Sequence, residues 1–375
     1  METDPRKENE IRQKNRGAVL ALFRRGGEWS RQQIAGELGL SLPTVTQNLK
    51  ELTELGLVCR TGTMACTVGR RATAYALASR ARIAVGLDIT RRQVTAVALD
   101  LRGRVLCTLR RSRSFDRSPA YSALLGELVQ EAVHLAGGKD TQVLGVGIAL
   151  PGLLTQDKQA LSYCAFLGFP QVTLAELAAR IPYPAALCHD TAAAGFAEVW
   201  NAPEPSTAFY LMLNASVGGS VYVGGKSYEG DNLRSCEVGH MLLVPGGQQC
   251  YCGNRGCVDP YCGGAVLADA AGGSLERFFA LLEQQSPLVL PVWQSYLEHL
   301  AQVVGNLRML YDCNVILGGN VGSRMEPYMQ QLRQLTARQD PFQEEADYLL
   351  PCRYRQEPVA TGAALGFISQ FLDGV

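Results

Sequence analysis

Apolar residues in the first eighty positions recur at the spacing expected of three short helices. Residues 15–27 (NRGAVLALFRRGG) and 30–40 (SRQQIAGELGL) each carry one apolar face, and a serine precedes the second segment where it can cap a helix. A third periodic segment, residues 41–56 (SLPTVTQNLKELTELG), follows a turn at Gly39. This order predicts a helix-turn-helix.

The third predicted helix has distinct apolar and polar faces. Its apolar face holds Val45, Leu49, Leu52 and Leu55. Short polar side chains on the other face suit base edges and phosphates in a major groove, and Ser41 stands where it can cap the helix. The predicted DNA-contacting residues of this segment are Ser41, Thr44, Thr46, Gln47, Asn48 and Lys50.

Two strand-like segments follow the third helix. Residues 57–77 (LVCRTGTMACTVGRRATAYAL) predict a pair of short strands around a turn, the wing of a winged helix-turn-helix. Arg70 and Arg71 lie at the end of this turn, where paired arginines can enter a minor groove or contact phosphates. Residues 1–78 are therefore predicted to form a DNA-binding domain, with a linker at 77–82.

The remaining chain, residues 79–375, has the alternating strands and helices of an α/β fold. Three strand-like segments between residues 83 and 112 predict an antiparallel meander, and helices alternate with strands beyond it. The strand pattern restarts near residue 207 and ends in a long helix, a strand and two further helices, the last from Val359. Two α/β lobes in succession are therefore predicted.

The zero net charge conceals a difference between the two predicted parts. Residues 1–80 carry 13 Lys and Arg against 8 Asp and Glu, whereas the remainder carries 22 against 27. A basic terminal unit on an acidic body is the charge distribution expected of a DNA-binding domain fused to a sensor. The length of 375 residues is enough for each unit to bury its own core.

The amino-terminal segment METDPRKENEIRQKNRG is charged and lacks the apolar core of a secretory signal. No later stretch reaches the roughly 18 apolar residues of a membrane span, so we expect a cytoplasmic protein without a membrane partner. In a reducing cytoplasm, the twelve cysteines are not evidence for disulfides. Isolated cysteines such as Cys59, Cys107, Cys313 and Cys352 are interpreted as small buried hydrophobic residues.

Five cysteines and a histidine are concentrated in residues 236–262 (CEVGHMLLVPGGQQCYCGNRGCVDPYC). Four of these residues follow the spacing H-x9-C-x-C-x4-C, and nearby glycines allow the backbone to fold around a small centre. Three thiolates and one imidazole form a closed tetrahedral zinc site, so one structural Zn²⁺ per chain is predicted. Replacement of the histidine by Cys236 or Cys262 is the alternative ligand set. The predicted ligands are His240, Cys250, Cys252 and Cys257.

The segments CEVGH and CYCGNRGC resemble the E-x-G-H and C-x-C-G-x-x-G-C motifs of the ROK family of sugar kinases and sugar-responsive repressors. The resemblance extends over the whole chain, including the winged helix. It implies a two-lobed, actin-like (ribonuclease H-like) fold with a sugar between the lobes. It also implies the same zinc ligands, with the metal orienting the free nitrogen of His240 toward a ligand hydroxyl.

The resemblance also assigns sugar-binding residues. The segment HDTAAAGFAE resembles the family's N-D-x-x-A-A-x-x-E, whose aspartate, here Asp190, binds a sugar hydroxyl and accepts its proton in kinases. Glu237 and His240 match two further hydroxyl-binding positions. Asp259 stands where the family usually has a glutamate and, being one methylene shorter, is expected to reach the ligand only through water. Residues 164–166 (CAF) lack the family's asparagine, so the ligand is either not a common hexose or weakly bound. A helix N-cap is the alternative role for Asp190.

Two phosphate-binding loops of the family's kinases are altered in this sequence. The D-x-G-G-T-K loop, whose glycines let backbone N–H groups approach phosphate, reads DITRRQ at 88–93. The G-T-G-x-G-G-G loop reads NASVGGS at 214–220. These changes predict that the protein does not use ATP. Arg91 and Arg92 are interpreted as part of a solvated hairpin turn, and replacement phosphate ligands are the alternative role for them.

The sequence therefore predicts a sugar-responsive transcriptional repressor of carbohydrate uptake or metabolism genes, and not an enzyme. We expect a homodimer or homotetramer that binds a double-stranded DNA operator, with ligand-driven lobe closure moving the DNA-binding helices. One alternative is a sugar kinase with a fused DNA-binding arm and Asp190 as general base. A second is a regulator whose body binds a protein partner, suggested by the missing asparagine. The sequence does not identify the sugar or the operator.

Overall fold

The computed structural model describes residues 5–64, 71–139, 142–163, 171–200 and 207–375, with side chains from residue 10 onward. Within these ranges the chain forms an amino-terminal unit of three helices and a small sheet, followed by two α/β lobes. No helix in the described part of the chain has both the length and the apolar character needed to cross a membrane.

The amino-terminal unit is a winged helix-turn-helix. Its elements are α1 (Pro5–Arg24), β1 (Trp29–Ser30), α2 (Arg31–Leu38), α3 (Leu42–Glu54), β2 (Val58–Met64) and β3 (Ala72–Leu77). Ser30 begins α2 through a capping box with Gln33, and Ser41 accepts a hydrogen bond from the Thr44 N–H at the start of α3. Gly39, with a φ of 63°, makes the turn between α2 and α3 because glycine adopts this conformation without strain.

The first lobe is built on a five-stranded sheet. Its elements are β4 (Ile83–Ile89), β5 (Gln93–Asp100), β6 (Val105–Ser112), α4 (Pro119–Leu135), β7 (Val143–Leu150), β8 (Leu153–Leu154), β9 (Ala160–Tyr163), β10 (Val172–Thr173), α5 (Leu174–Leu177), β11 (Ala185–His189) and α6 (Asp190–Val199). The strand order is β11-β7-β4-β5-β6, in which β7 is parallel to both neighbours and β5 is antiparallel to both. Strands β8 to β10 form a separate small sheet.

The second lobe repeats this plan. Its elements are β12 (Ala208–Leu213), β13 (Val217–Val223), β14 (Lys226–Tyr228), α7 (Asp259–Cys262), α8 (Gly264–Ala270), α9 (Leu275–Glu283), α10 (Leu290–Tyr311), β15 (Asn314–Gly318), α11 (Gly319–Gly322), α12 (Met329–Ala337), β16 (Leu349–Pro351) and α13 (Pro358–Gly374). The order is β14-β13-β12-β15-β16, with an antiparallel meander joined to two parallel strands as in the first lobe. The structure thus has the predicted two-lobed architecture.

Helix α13 packs closely on both α6 and β4. A Cβ on Gly362 would lie 1.6 Å from the carbonyl oxygen of Ala193, and one on Gly86 would lie 1.8 Å from that of Ala360. Because no side chain fits at these distances, α13 contacts both α6 and β4 through its backbone. They therefore form one tightly packed unit.

The winged helix packs against the carboxyl-terminal ends of the same two helices. Leu20 of α1 and Ile368 of α13 belong to one continuous apolar core. The guanidinium carbon of Arg24 lies 4.3 Å from the ring centre of Trp200, which follows α6 directly. The predicted linker is a short connection containing a 3-10 helix at Ser79–Ala81. The DNA-binding unit and the body are thus joined by packed side chains as well as by the chain itself.

The helices and strands predicted from periodicity are present, with differences in length. One of the helices that alternate with strands in the first lobe, α5, is only four residues long (Leu174–Leu177), and α1 starts at Pro5, ten residues before the periodic segment. Helices α8 and α9 and strand β16 were not predicted. These elements are short, and a short apolar run does not by itself distinguish a helix from a strand.

Candidate metal centre, effector cleft and DNA-binding surface

The predicted zinc ligands lie together in the second lobe. The ligand atoms of His240, Cys250, Cys252 and Cys257 are all within 4.8 Å of one another. The two Sγ atoms of Cys252 and Cys257 are 3.8 Å apart, and Cys250 Sγ lies 3.7 Å from His240 Nδ1. Thiolates about 2.3 Å from a tetrahedral zinc are separated by about 3.8 Å, so the cluster has the dimensions of such a site. It can hold a metal ion.

The loop that carries these cysteines depends on its glycines. Gly256 has a φ of 82°, and a Cβ there would lie 1.8 Å from the carbonyl oxygen of Val244. Cys236 and Cys262 do not join the four-residue cluster. Cys262 is instead fully buried in the apolar core of the lobe. The geometry therefore favours the ligand set that includes the histidine.

His240 links this cluster to a cavity between the lobes. Its Nδ1 faces Cys250, whereas its Nε2 lies 3.3 Å from the hydroxyl oxygen of Tyr251. Both His240 and Tyr251 line the cavity. A metal ion bound at Nδ1 would therefore leave Nε2 on the side of the cavity, which is the orientation expected for a hydroxyl ligand.

The cavity, which we call the effector cleft, has a volume of about 390 Å³. Sites for small molecules commonly have volumes of about 300–1,000 Å³. Three of the four predicted sugar-binding residues, Asp190, Glu237 and His240, line the effector cleft. The tertiary fold thus brings together groups from α6 of the first lobe and from the segment around the 3-10 turn Val238–His240 of the second.

Asp190 is positioned by its neighbours at the start of α6. The Thr191 N–H donates to Asp190 Oδ1 at 2.7 Å, and His189 Nε2 lies 3.5 Å from the same oxygen. His189 Nδ1 is in turn 2.6 Å from the Thr191 hydroxyl. Burial raises the pKa of Asp190, and the charge of His189 opposes this shift. Asp190 therefore accepts a backbone hydrogen bond in the first turn of α6 and also lines the effector cleft.

A second carboxyl group, Asp88 near the end of β4, also lines the effector cleft. Burial, with smaller contributions from the charges of Asp190 and Glu357, raises the pKa of Asp88 to about 8. Removing a carboxylate from water and placing it near other carboxylates both favour its protonated form. Asp88 is therefore mainly neutral at pH 7.

Asp259 is placed differently from the other predicted sugar ligands. It is not among the residues that line the effector cleft, and its Oδ1 accepts a hydrogen bond from the Val217 N–H at 2.6 Å. The shorter aspartate side chain thus supports the backbone at the start of β13. A direct sugar contact from Asp259 is not supported by this geometry.

The two altered phosphate loops border a second cavity of about 510 Å³ next to the effector cleft. Thr90 and Asn214, from the two loops, both line it. The wall of this cavity also carries an ion pair in which Arg110 Nε lies 2.6 Å from Glu357 Oε1. A side-chain ion pair therefore forms part of the wall of the cavity that the two altered loops border.

The helix α3 presents most of the predicted DNA-contacting side chains to solvent. Ser41, Thr46, Gln47 and Lys50 are exposed, and Thr44 is partly exposed. Gln47 Nε2 donates to Glu51 at 2.8 Å, and Lys50 pairs with Glu54 at 3.9 Å, so neither side chain is held by the core. Arg71 in the wing is exposed, and Arg70 lies outside the described residues.

Two expectations for α3 are wrong. Asn48 is 2% exposed, and its Nδ2 donates to the Thr44 carbonyl oxygen at 2.9 Å, so it packs inside the unit instead of facing DNA. Leu55, expected on the apolar face, follows the end of α3 and is 47% exposed. A helical repeat of 3.6 residues places position 48, three residues after Val45 and four before Leu52, on the same buried face as these two residues.

Models of known protein families match both the amino-terminal unit and the body of the chain. The ROK family model matches residues 84–369, and a helix-turn-helix domain model matches residues 13–59. The chain belongs to the ROK family. The fold is also shared over its full length with a solved ROK family transcriptional regulator, described as a homolog of E. coli MLC protein. That match covers 97% of each chain at a TM-score of 0.75 and 22% identity, which establishes the fold.

Curated relatives include both regulators and enzymes. The N-acetylglucosamine repressor of Escherichia coli O157:H7 is 25% identical over 260 residues, covering 68% of this chain and 64% of the repressor. The chain thus spans less than two thirds of the repressor's length. The N-acetylmannosamine kinase of Citrobacter koseri is 27% identical over 289 residues, covering 72% of this chain and 98% of the kinase. The ROK family therefore includes both repressors and kinases, and the residues of the site have to distinguish these two functions.

Some residues of the effector cleft were not identified from the sequence. His189 and Tyr251 line or contact it but were not predicted, although each adjoins a predicted ligand. Arg91 lies in an exposed turn, as expected, and this turn also borders the effector cleft, as does the exposed Arg234. A turn arginine has no periodicity to reveal its direction, so only the fold shows which turn residues face the cavity.

Proposed function

We propose that the protein is a sugar-responsive, DNA-binding transcriptional repressor of carbohydrate genes. One observation carries this proposal: α6 and α13 begin at the effector cleft and end against the winged helix. Asp190, the first residue of α6, and Val359 of α13 both line the effector cleft. At their other ends, Trp200 contacts Arg24 and the α13 side chains share a core with α1.

This arrangement gives a route from ligand to DNA. A sugar held between the lobes favours their closed arrangement, because it contacts residues of both lobes. Helices α6 and α13 move together, since Gly362 brings their backbones into contact. Their movement changes the position of α1 and therefore of the DNA-binding helix packed on it. Such hinge or shear motions are a common way of coupling two sites.

On the DNA side, two copies of α3 would enter successive major grooves of a pseudo-palindromic operator. Helix-turn-helix dimers read half-sites about 34 Å apart, so a homodimer, or a tetramer made of two such dimers, is the proposed assembly. Thr46 and Gln47 are the central candidates for base contacts, because both are exposed on α3. Arg71 of the wing is placed to contact the phosphate backbone.

The proposed metal is one structural Zn²⁺ bound by the cluster of three cysteines and one histidine. Its support is the donor set and the distances of 3.7 and 3.8 Å between ligand atoms. When bound, zinc would fix the loop that carries Tyr251 and the orientation of His240. We place the ion in a supporting role beside the effector cleft.

A sugar kinase is the second candidate, because Asp190 is present and a curated relative is an N-acetylmannosamine kinase. Against it, the phosphate loops have lost glycines that backbone cradling of phosphate requires. The Arg110–Glu357 ion pair also lines the neighbouring cavity. We therefore propose that sugar binding was retained and phosphoryl transfer was not.

The first test is selection of binding sites from random DNA duplexes by the full-length, zinc-loaded protein. We expect an enriched inverted repeat, and Gln47→Ala should weaken binding to it about tenfold while non-specific binding changes little. Gln334→Ala, an exposed position on α12, serves as the control. Equal loss on specific and random DNA would contradict base reading by Gln47.

The kinase alternative is tested in parallel by ATP turnover with hexoses and N-acetylhexosamines. Turnover that disappears in Asp190→Asn would establish the kinase, because this carboxylate is the only proposed proton acceptor. We expect no turnover above the no-sugar control. Release of the selected DNA by one of these compounds or its phosphate would establish the regulatory function.

A further inference from the structure

Arg91 occupies the turn between β4 and β5, and its side chain lines the effector cleft. The turn is fixed by the hydrogen bond from the Thr90 N–H to the Gln93 carbonyl oxygen at 2.9 Å and by that from the Phe115 N–H to the Arg91 carbonyl oxygen at 3.0 Å. Arg92, the next residue, does not line the effector cleft. One of the two adjacent, exposed arginines of this turn therefore borders the cavity.

Arg234 lines the same cavity from the opposite lobe. It lies three residues before Glu237, on the segment between β14 and the zinc-cluster motif. The effector cleft is thus bordered by one guanidinium group from each lobe. A ligand that contacts both groups would hold the lobes together.

Both arginines have side chains without a protein partner in the part of the chain that the structure describes. Among the described residues, no ion pair or side-chain hydrogen bond involves Arg91 or Arg234, whereas Arg110, Arg113 and Arg353 each have a carboxylate partner. A guanidinium group offers five N–H donors in a planar arrangement that fits phosphate and carboxylate oxygens. The donors of Arg91 and Arg234 are therefore available to a ligand.

One of the three carboxyl groups that line the effector cleft adds little negative charge. Asp88 is mainly protonated at neutral pH, and burial shifts Asp190 in the same direction. Glu237 is the remaining carboxylate that lines the effector cleft, and it matches a hydroxyl-binding position. The cleft thus combines hydroxyl-binding groups at its centre with two cationic groups.

We propose that the effector is a sugar that carries an anionic group, a phosphate or a carboxylate, bound by Arg91 and Arg234. This inference rests on the proposed function and specifies the class of its ligand. The hydroxyls of the sugar contact Asp190, Glu237 and His240, and the anionic group contacts the arginines. Because each arginine belongs to a different lobe, the anionic group selects the closed arrangement and so distinguishes the effector from its neutral parent sugar.

The first experiment uses inorganic phosphate as the probe of the anion site. Thermal unfolding of the full-length, zinc-loaded protein is followed in sodium phosphate and in sodium chloride of the same ionic strength. We expect phosphate to raise the midpoint at millimolar concentration, because a ligand of the native state stabilises it by mass action. Arg91→Gln and Arg234→Gln should remove the shift, and Arg92→Gln should retain it.

The second experiment compares matched pairs by calorimetric titration: glucose, N-acetylglucosamine and N-acetylmannosamine, each with its 6-phosphate, and glucuronate. We expect one anionic member to bind at least tenfold more tightly than its parent, and Arg91→Gln to reduce that preference to less than threefold. A preference for glucuronate over the phosphates would assign the charge to a carboxylate.

The outcomes separate this proposal from the proposed function. Binding of neutral sugars with no preference for their phosphates would overturn the anionic effector and leave sugar response standing. Phosphate stabilisation that depends on Arg91, with no binding by any sugar, would support the anion site and overturn sugar response. The absence of a phosphate effect, or an equal loss in Arg91→Gln and Arg92→Gln, would also overturn the proposal.

Discussion

Asp88→Asn is expected to change how the stability of the protein depends on pH. Burial and nearby carboxylates raise the pKa of Asp88 from its ordinary value of 3.8 to about 8. Between these two values, the folded protein holds a proton that the unfolded chain has released. The contribution of Asp88 to stability is therefore greatest below pH 3.8 and falls as pH rises toward 8.

The size of the effect follows from the pH interval. One pKa unit corresponds to about 1.4 kcal/mol, so the three units from pH 5 to pH 8 would amount to about 4 kcal/mol for a fully enclosed group. Asp88 borders an open cleft, where water screens part of the interaction, and we expect about 2 kcal/mol. Asparagine does not titrate, so the stability of the variant should exceed that of the wild type by an amount that grows across this interval.

Urea denaturation at pH 5, 6, 7 and 8 measures this difference. Asp116→Asn is the matched control, because hydrogen bonds from Ser118 lower the pKa of that exposed carboxyl. The contribution of the Asp116 carboxylate to stability is fully present above pH 4 and is lost below it. The stability difference between Asp116→Asn and the wild type should therefore stay constant from pH 5 to pH 8. Parallel stability curves for Asp88→Asn and the wild type would refute the reasoning.

Two further variants test the metal centre and the helical connection to DNA. Cys252→Ser should bind less than one tenth of the zinc bound by the wild type, measured by metal analysis after dialysis, and should weaken effector binding because the loop carrying His240 and Tyr251 loses its support. Cys59→Ser, which lies outside the cluster, should change neither zinc content nor effector binding. Full zinc occupancy in Cys252→Ser would contradict the ligand assignment. In Trp200→Leu, the DNA affinity measured without effector should stay within twofold of the wild-type value, and effector-induced DNA release should fall about fivefold, since a partly buried cation–π contact is worth about 1 kcal/mol. Titration of labelled operator with and without effector measures the affinity and the release. An unchanged release ratio would exclude this contact from the coupling.

Much of the fold follows from local pattern in the sequence. Ser30, Gly39 and Ser41 mark where helices begin or end, because capping and left-handed turns involve residues only a few positions apart. The same holds for the metal cluster: Cys250, Cys252 and Cys257 lie on one glycine-rich loop, so their spacing along the chain nearly fixes their spacing in space. Such features could be predicted before the structure.

The tertiary structure decided where side chains point when several elements compete for them. Asn48 was expected on a polar face, but packing against neighbouring helices buried it. Asp259 matched a sugar ligand in sequence, yet its carboxylate binds the Val217 N–H, 42 residues earlier. Arg91 lies in an exposed turn, as expected, and the fold places this turn beside the effector cleft. For Asp259 and Arg91, the deciding arrangement involves distant segments of the chain.

The connection between the effector cleft and the winged helix also belongs to the tertiary structure alone. Periodicity predicted α1, α6 and α13 as separate helices, but the contact of Arg24 with Trp200 and that of Gly362 with Ala193 join residues 169 or more positions apart. Local spacing determines which elements form and which ligands a single loop can offer, because those interactions act over a few residues. The body and the winged helix share one core because of long-range packing, which depends on the shapes of whole elements.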